Sequence, residues 1–180
     1  MPLTILLQPI GEVPSRILEH LKHNLGIAFD PAECTIAERQ LPIPEASYNP
    51  KRGQYLSSNI LRELAISSTD LPFNRVLGIL DADAYVPDLN FVFGEAQCPG
   101  KAALIALHRL RPEFYGEEAN EDLFFNRVLK EAIHELGHTL GFGHCGDRFC
   151  IMWFSNSIYE TDRKTPRFCE KCLNKLTWLK

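Results

Sequence analysis

Residues 132–152, AIHELGHTLGFGHCGDRFCIM, bring three histidines, one glutamate, four glycines and two cysteines into one short segment. His134 and His138 are four apart. On an α-helix that spacing puts them about 40° from each other around the axis, on one face. Two imidazoles so placed can bind one zinc ion, each at about 2.0–2.1 Å. Glu135, beside the first of them, can reach a water on that zinc. Zinc lowers the pKa of such a water toward neutrality, and a carboxylate can take its proton and later return it. Gly141 is placed to end the helix in a left-handed cap. The resulting turn lets His144, six residues past His138, come back as a third ligand. Three protein ligands leave the fourth position to water, the arrangement of catalytic zinc. The competing reading is a set of helical surface or core histidines. It fits HExxH alone better than it fits the longer pattern with Gly141 and His144. His20, His23 and His108 lack such neighbours and read as ordinary surface or packing histidines.

A second constellation follows at once. Cys145 and Cys150 are five apart, and Cys169 and Cys172 three apart. Two close pairs across a turn-rich segment suit a four-sulfur tetrahedral zinc site, closed and therefore structural. A short C-terminal tail buries little core of its own, and a metal would fix it. Two disulfides are the main alternative for these four thiols in an oxidising compartment. A nucleic-acid-binding zinc knuckle is a further one, although aromatic–basic interleaving is thin. Residues 161–180 carry six Lys/Arg against two acids, but a zinc tetrathiolate is doubly negative and accounts for such an excess. Cys34 and Cys98 have no nearby partner in sequence and read as buried or free thiols.

The elements that must position these residues can be sketched from periodicity. LTILLQPI reads as a buried strand, and PSRILEHLKHNLGI as a helix opened by Pro14 with Ile17, Leu18, Leu21 and Leu25 inward. CTIAERQ reads as a second strand, SYNPKRG as a loop, and QYLSSNILRELAIS as a helix. RVLGILDADAYV, FVFGEAQ and KAALIALHRL read as three more strands. A long helix starts near Asn120, with Glu121 and Asp122 favourable in its first turn. Its apolar stripe is Phe125, Val128, Leu129, Ala132, Ile133, Leu136 and Leu140. That stripe lies mostly away from the histidine face, so one side packs and the other is left for chemistry. RLRPEFYGEEAN, before the helix, reads as a mobile cleft-side loop with Tyr115 at the surface. After Gly141 the composition turns to Gly, Cys and aromatic residues. The chain is therefore divided into an N-terminal subdomain with the active-site helix, residues 1–141, and a C-terminal zinc-binding subdomain, residues 142–180, in one catalytic domain overall.

The bulk numbers agree with a single domain. A chain of 180 residues buries about 70 % of its unfolded surface. The net charge of −4 argues against nucleic acid as a partner. No apolar run approaches the length of a membrane span. The start, MPLTILLQPIGEVPSR, lacks a basic region and a cleavage site, so a cytoplasmic location is expected.

HELGHTLGFGH resembles the motif of the metzincin zinc peptidases, HExxHxxGxxH followed by a methionine-containing turn, and Met152 in CIMWFSNS matches that turn in position. The four cysteines, together with YNPKRGQY, FVFGEAQ and FSNSIYE, resemble the archaemetzincins over nearly the whole chain. The resemblance implies an α/β (α+β) fold: a twisted mixed sheet with helices, plus a small zinc-stapled C-terminal subdomain, with a substrate cleft between. It implies catalytic zinc on His134, His138 and His144, Glu135 as general base and acid, Met152 beneath the zinc, and a second zinc on Cys145, Cys150, Cys169 and Cys172. An edge strand that pairs with extended substrate is implied as well, either FVFGEAQ or KAALIALH. Two departures stand out. Phe154 lies two residues after the turn methionine, where some metzincins have a tyrosine, so no hydroxyl is offered there. Cys145 follows the third histidine, so the two zinc sites share adjacent residues.

The expected function is therefore a zinc metallopeptidase that hydrolyses peptide bonds through a zinc-activated water, with two zinc ions per chain, a peptide or protein as substrate, and a monomeric state. The alternative is a non-catalytic two-zinc protein with a peptide-binding cleft. Glu135 discriminates between them, because only catalysis needs it.

Overall fold

The computed structural model describes residues 2–179. In chain order its elements are β1 (Leu3–Ile10), α1 (Ser15–Ala28), β2 (Ala32–Ile36), β3 (Tyr48–Asn49), β4 (Gln54–Leu56), α2 (Ser57–Ser67), β5 (Arg75–Leu80), β6 (Ala84–Tyr85), β7 (Gly94–Ala96), β8 (Ala102–Ala106), α3 (Glu121–Thr139), α4 (Ile158–Arg163) and α5 (Glu170–Leu179). The main sheet has the order β2-β1-β5-β8-β7. Its first four strands are parallel and β7 runs antiparallel to β8. The α/β fold with a mixed sheet is thus as expected.

Alternation along the strands decides which helix covers which face. Ile5 and Leu7 of β1, Leu77 and Ile79 of β5, and Ala103 and Ile105 of β8 join the core shared with α1 and α3. Leu6 and Ile10, Val76 and Leu80, and Ala102, Leu104 and Ala106 join the core under α2. Both faces are covered, so the parallel strands are apolar at successive positions instead of alternating with polar residues. Gly78 permits the close packing of α2, since a Cβ there would lie 2.8 Å from Leu64 Cδ2.

Three details depart from the periodicity. A small second sheet, β3-β4-β6, arises because QYL extends into a strand where a helix was expected, and because the single strand expected over RVLGILDADAYV breaks into β5 and β6. The second strand covers residues 32–36 and stops short of Ala37–Gln40. The tail carries a helix, α5, that holds Cys172. Among the described residues no helix is long and apolar enough to cross a membrane.

Candidate metal centre and cleft

α3 positions the catalytic candidates. Asn120 caps it, its Oδ1 accepting from the Leu123 N–H at 3.0 Å, and acidic Glu121 and Asp122 sit in the first turn, favourable to the helix dipole. At the other end Gly141, with φ 89°, is the left-handed residue of a Schellman cap. Its N–H donates to His138 O at 2.8 Å, and Phe142 N–H donates to Gly137 O at 3.2 Å. Phe124, absent from the stripe read in the sequence, is buried, whereas Phe125 and Leu129 are only half-buried. The helix is also less one-sided than expected. Arg127, Lys130, Glu131, His134 and Glu135 are all buried: α4 meets the first three, the turn at Ile151 meets His134, and β7 meets Glu135. Arg127 makes a two-point pair with Asp162 at 2.8 and 2.7 Å. Lys130 donates to Thr161 O and Asp162 O, and Thr161 Oγ1 donates to Glu131.

The structure brings His134, His138 and His144 together, with one nitrogen of each within 4.8 Å of the others. His134 Nδ1 lies 2.7 Å from Ile151 O, and His138 Nδ1 2.7 Å from Phe142 O. A carbonyl oxygen only accepts, so both Nδ1 atoms carry the proton and both Nε2 atoms present bare lone pairs. Those two Nε2 atoms face each other at 3.1 Å. Two lone pairs at that distance repel unless a cation lies between them. Tetrahedral zinc with bonds of 2.0–2.1 Å would separate its ligand nitrogens by roughly 3.3 Å. Burial pushes His134 well below the usual imidazole range, with Lys164 and His138 adding to the effect. Burial lowers His138 and His144 too. All three are thereby biased to the neutral, ligating form. The residues fit zinc on chemistry as well as distance.

Glu135 is buried, and burial, reinforced by Glu131, raises its pKa well above the ordinary carboxyl value, while Lys164 opposes the shift. It lies across the edge strand: a Cβ at Gly94 would be 2.5 Å from Glu135 Cγ and 2.7 Å from Leu104 O. Met152 is fully buried, and a Cβ at Gly137 would lie 2.5 Å from its sulfur. Met152 therefore packs directly under the helix backbone between the two histidines. The turn around it also holds the ligands, since Ile151 O receives His134 and Cys145 N–H donates to Met152 O at 2.9 Å. The Phe154 ring packs 4.8 Å from that of His144.

Cys145, Cys150, Cys169 and Cys172 form the second cluster, all sulfurs within 4.8 Å of one another. The Cys145 and Cys169 sulfurs are 3.8 Å apart, as tetrahedral zinc with Zn–S bonds of about 2.3 Å requires. Asp147 N–H donates to Cys145 Sγ and Cys169 N–H to Cys150 Sγ. All six cysteines are free. Cys34 and Cys98 join neither cluster. Burial pushes the Cys34 thiol up to about 11, whereas Cys98 is exposed and donates to Phe142 O.

The histidines open onto a cavity of about 780 Å³. Its floor is α3, and β7, at the sheet edge, lines one side. Of the two strands considered for that edge, FVFGEAQ supplies it and KAALIALH lies inside the sheet. Residues 86–93 form a wall that the sequence did not suggest, while residues 107–120 line no part of this cavity. Tyr115 is half-buried, its hydroxyl donating to Arg109 O at 2.9 Å, and burial pushes it up to about 12. Lys164, wholly buried, reaches the cavity floor with Nζ 3.4 Å from Glu131 Oε1 and 3.3 Å from Trp153 O. Its partners lie on other elements, so its cavity role had no signal in the sequence.

An α/β fold with three imidazoles and a buried carboxylate at the mouth of a cleft defines the class of the zinc peptidases. Residues 39–178 match peptidase family M54. An archaemetzincin of Methanocaldococcus jannaschii is 48 % identical over 98 % of this chain and 94 % of its own length, and one of Pyrococcus furiosus 42 % over 96 % and 91 %. The crystal structure of archaemetzincin from Methanopyrus kandleri superposes with a TM-score of 0.83 at 36 % identity, over 99 % of this chain and 95 % of that one. A zinc-dependent peptidase from Methanocorpusculum labreanum gives 0.85 at 28 % identity, over 96 % and 99 %. The chain belongs to peptidase family M54, the archaemetzincins, and is a zinc metallopeptidase.

Proposed function

We propose that peptide hydrolysis takes place at the histidine cluster, with His134, His138 and His144 holding one zinc and Glu135 acting on the water beside it. The observation that carries this reading is the pair of bare Nε2 atoms facing each other at 3.1 Å, each imidazole fixed by a carbonyl on its far nitrogen. Zinc bound there supplies Lewis-acid polarisation and acidifies water toward a pKa of about 7. The Glu135 carboxylate accepts the water's proton and returns it to the leaving amine. Phe154 brings no hydroxyl to the site. The β7 main chain supplies the pairing edge for an extended peptide, with little demand on side chains.

We place a second zinc on Cys145, Cys150, Cys169 and Cys172, giving two per chain, and a subdomain boundary after Gly141. The fit of the sulfur spacing to tetrahedral zinc supports the first, and the left-handed turn at Gly141 the second. We place the protein in the cytoplasm, a setting that suits four thiols gathered for a metal, and the net charge of −4 favours a protein or peptide partner over nucleic acid. We take the chain to act as a monomer. A quenched-peptide library tests the central reading. Glu135→Ala should lower turnover about 10²–10⁴-fold with zinc content unchanged. Equal cleavage by both proteins would overturn it.

A further inference from the structure

We propose that Arg52, aided by Gln54, is a positioning residue for substrate: it holds the main chain of the 86–93 cleft wall and so fixes the register in which a peptide adds to β7. The proposal rests on the reading of β7 as the substrate-pairing strand. The segment YNPKRGQY joins neither metal cluster, yet it is the hub of a polar network on the far side of that wall. Arg52 Nη2 donates to Leu89 O at 3.1 Å and to Asn90 O at 2.9 Å, while its Nε donates to Gln54 Oε1 at 2.8 Å. Gln54 Nε2 donates to Asn90 O at 3.0 Å and to Asp83 Oδ2 at 3.2 Å. Asp83 receives Arg109 at two points, 2.7 and 2.8 Å, and the Arg109 guanidinium lies 4.6 Å from the centre of the Phe91 ring.

Anchors therefore fall on Leu89, Asn90 and Phe91 in succession. The next two residues are tied by the sheets themselves. Val92 N–H donates to Ala84 O of β6 at 2.9 Å, and Phe93 O accepts from Ala106 N–H at the end of β8 at 2.8 Å. Thus the small sheet buttresses the strip that becomes the edge strand. Loop carbonyls ordinarily face water; here two of them take one charged nitrogen, Arg52 Nη2, whose direction is set by the Nε bond to Gln54. Arg52 is itself exposed and fills no core volume, so its loss opens no cavity in the fold. What its loss does free is the wall beside β7, and a looser wall binds an extended ligand less well because the ordering must then be supplied on binding.

The test uses the zinc-loaded full chain and two probes. Acetohydroxamate offers only a metal-chelating group. The same group on a tripeptide is long enough to lie along β7. Arg52→Ala should weaken the tripeptide hydroxamate about tenfold and leave acetohydroxamate unchanged. Arg52→Lys, which keeps the charge and loses the fork, should fall between. Amide exchange over residues 86–93 should quicken in Arg52→Ala. Equal loss on both probes, no loss on the tripeptide, or unchanged exchange overturns the role of Arg52 and leaves the catalytic reading standing. Binding of neither probe to the wild type, with zinc present, overturns the cleft reading and this proposal with it.

Discussion

His144 and Cys145 are neighbours in sequence, yet they serve clusters built in different ways. The histidine cluster has three ligands, two of them on one helix, and opens onto a cavity of about 780 Å³. The cysteine cluster has four, drawn from a turn and the start of α5, with no position left over. Imidazoles are oriented from behind, through Nδ1–H donated to the carbonyls of Ile151 and Phe142. Two of the cysteine sulfurs are met from in front, by backbone N–H groups aimed at sulfur. Three imidazoles on one zinc would leave a coordination position open. Four sulfurs on one zinc would leave none, and would cross-link a segment with little core. The two clusters meet in the 144–152 turn, where Cys145 N–H donates to Met152 O. On the proposed assignment, the cysteine site would steady His144, the one histidine of the cluster that α3 does not carry.

The largest effect that would sharpen this contrast comes from removing single thiols. A structural zinc of this kind contributes about 10–16 kcal/mol of apparent binding free energy, comparable with the stability of a whole domain. Cys172→Ser and Cys145→Ser should both lower the melting temperature steeply. They should differ at the other site. Cys145 adjoins His144, so Cys145→Ser should weaken catalytic-zinc affinity about 10–100-fold, well beyond the effect of Cys172→Ser. Competition with a chelator measures this. Equal affinities in folded variants would show that the two sites are independent.

A smaller effect concerns the open site alone. Gly94→Ala would set a Cβ against Glu135 Cγ and the Leu104 carbonyl. It should cost about 1–3 kcal/mol by overpacking and lower kcat by moving Glu135, with the cysteine cluster undisturbed. Denaturant unfolding and zinc content check both halves. A stable, fully active Gly94→Ala would mean that Glu135 is not seated on the edge strand.

The histidine site was legible because its residues lie within eleven positions and one helix period relates two of them. The cysteine set was legible by its paired spacing. The main sheet followed from apolar strands, and the choice of β7 as the edge needed only the strand order. The small sheet was not legible, since strands of two or three residues carry no periodicity. Nor was the cleft wall, a Pro- and Asp-containing loop whose carbonyls are met by Arg52 and Gln54 from more than thirty residues away. Nor did anything in the sequence signal that Arg127, Lys130, Glu131 and Lys164 are buried, because charge ordinarily goes with exposure. Their partners on α4 and the Trp153 carbonyl reverse that.

Elemental analysis of zinc in protein purified without added metal or chelator tests the central claim most directly. One open and one closed site predict about two zinc ions per folded chain. A folded chain carrying none would contradict the account of both clusters.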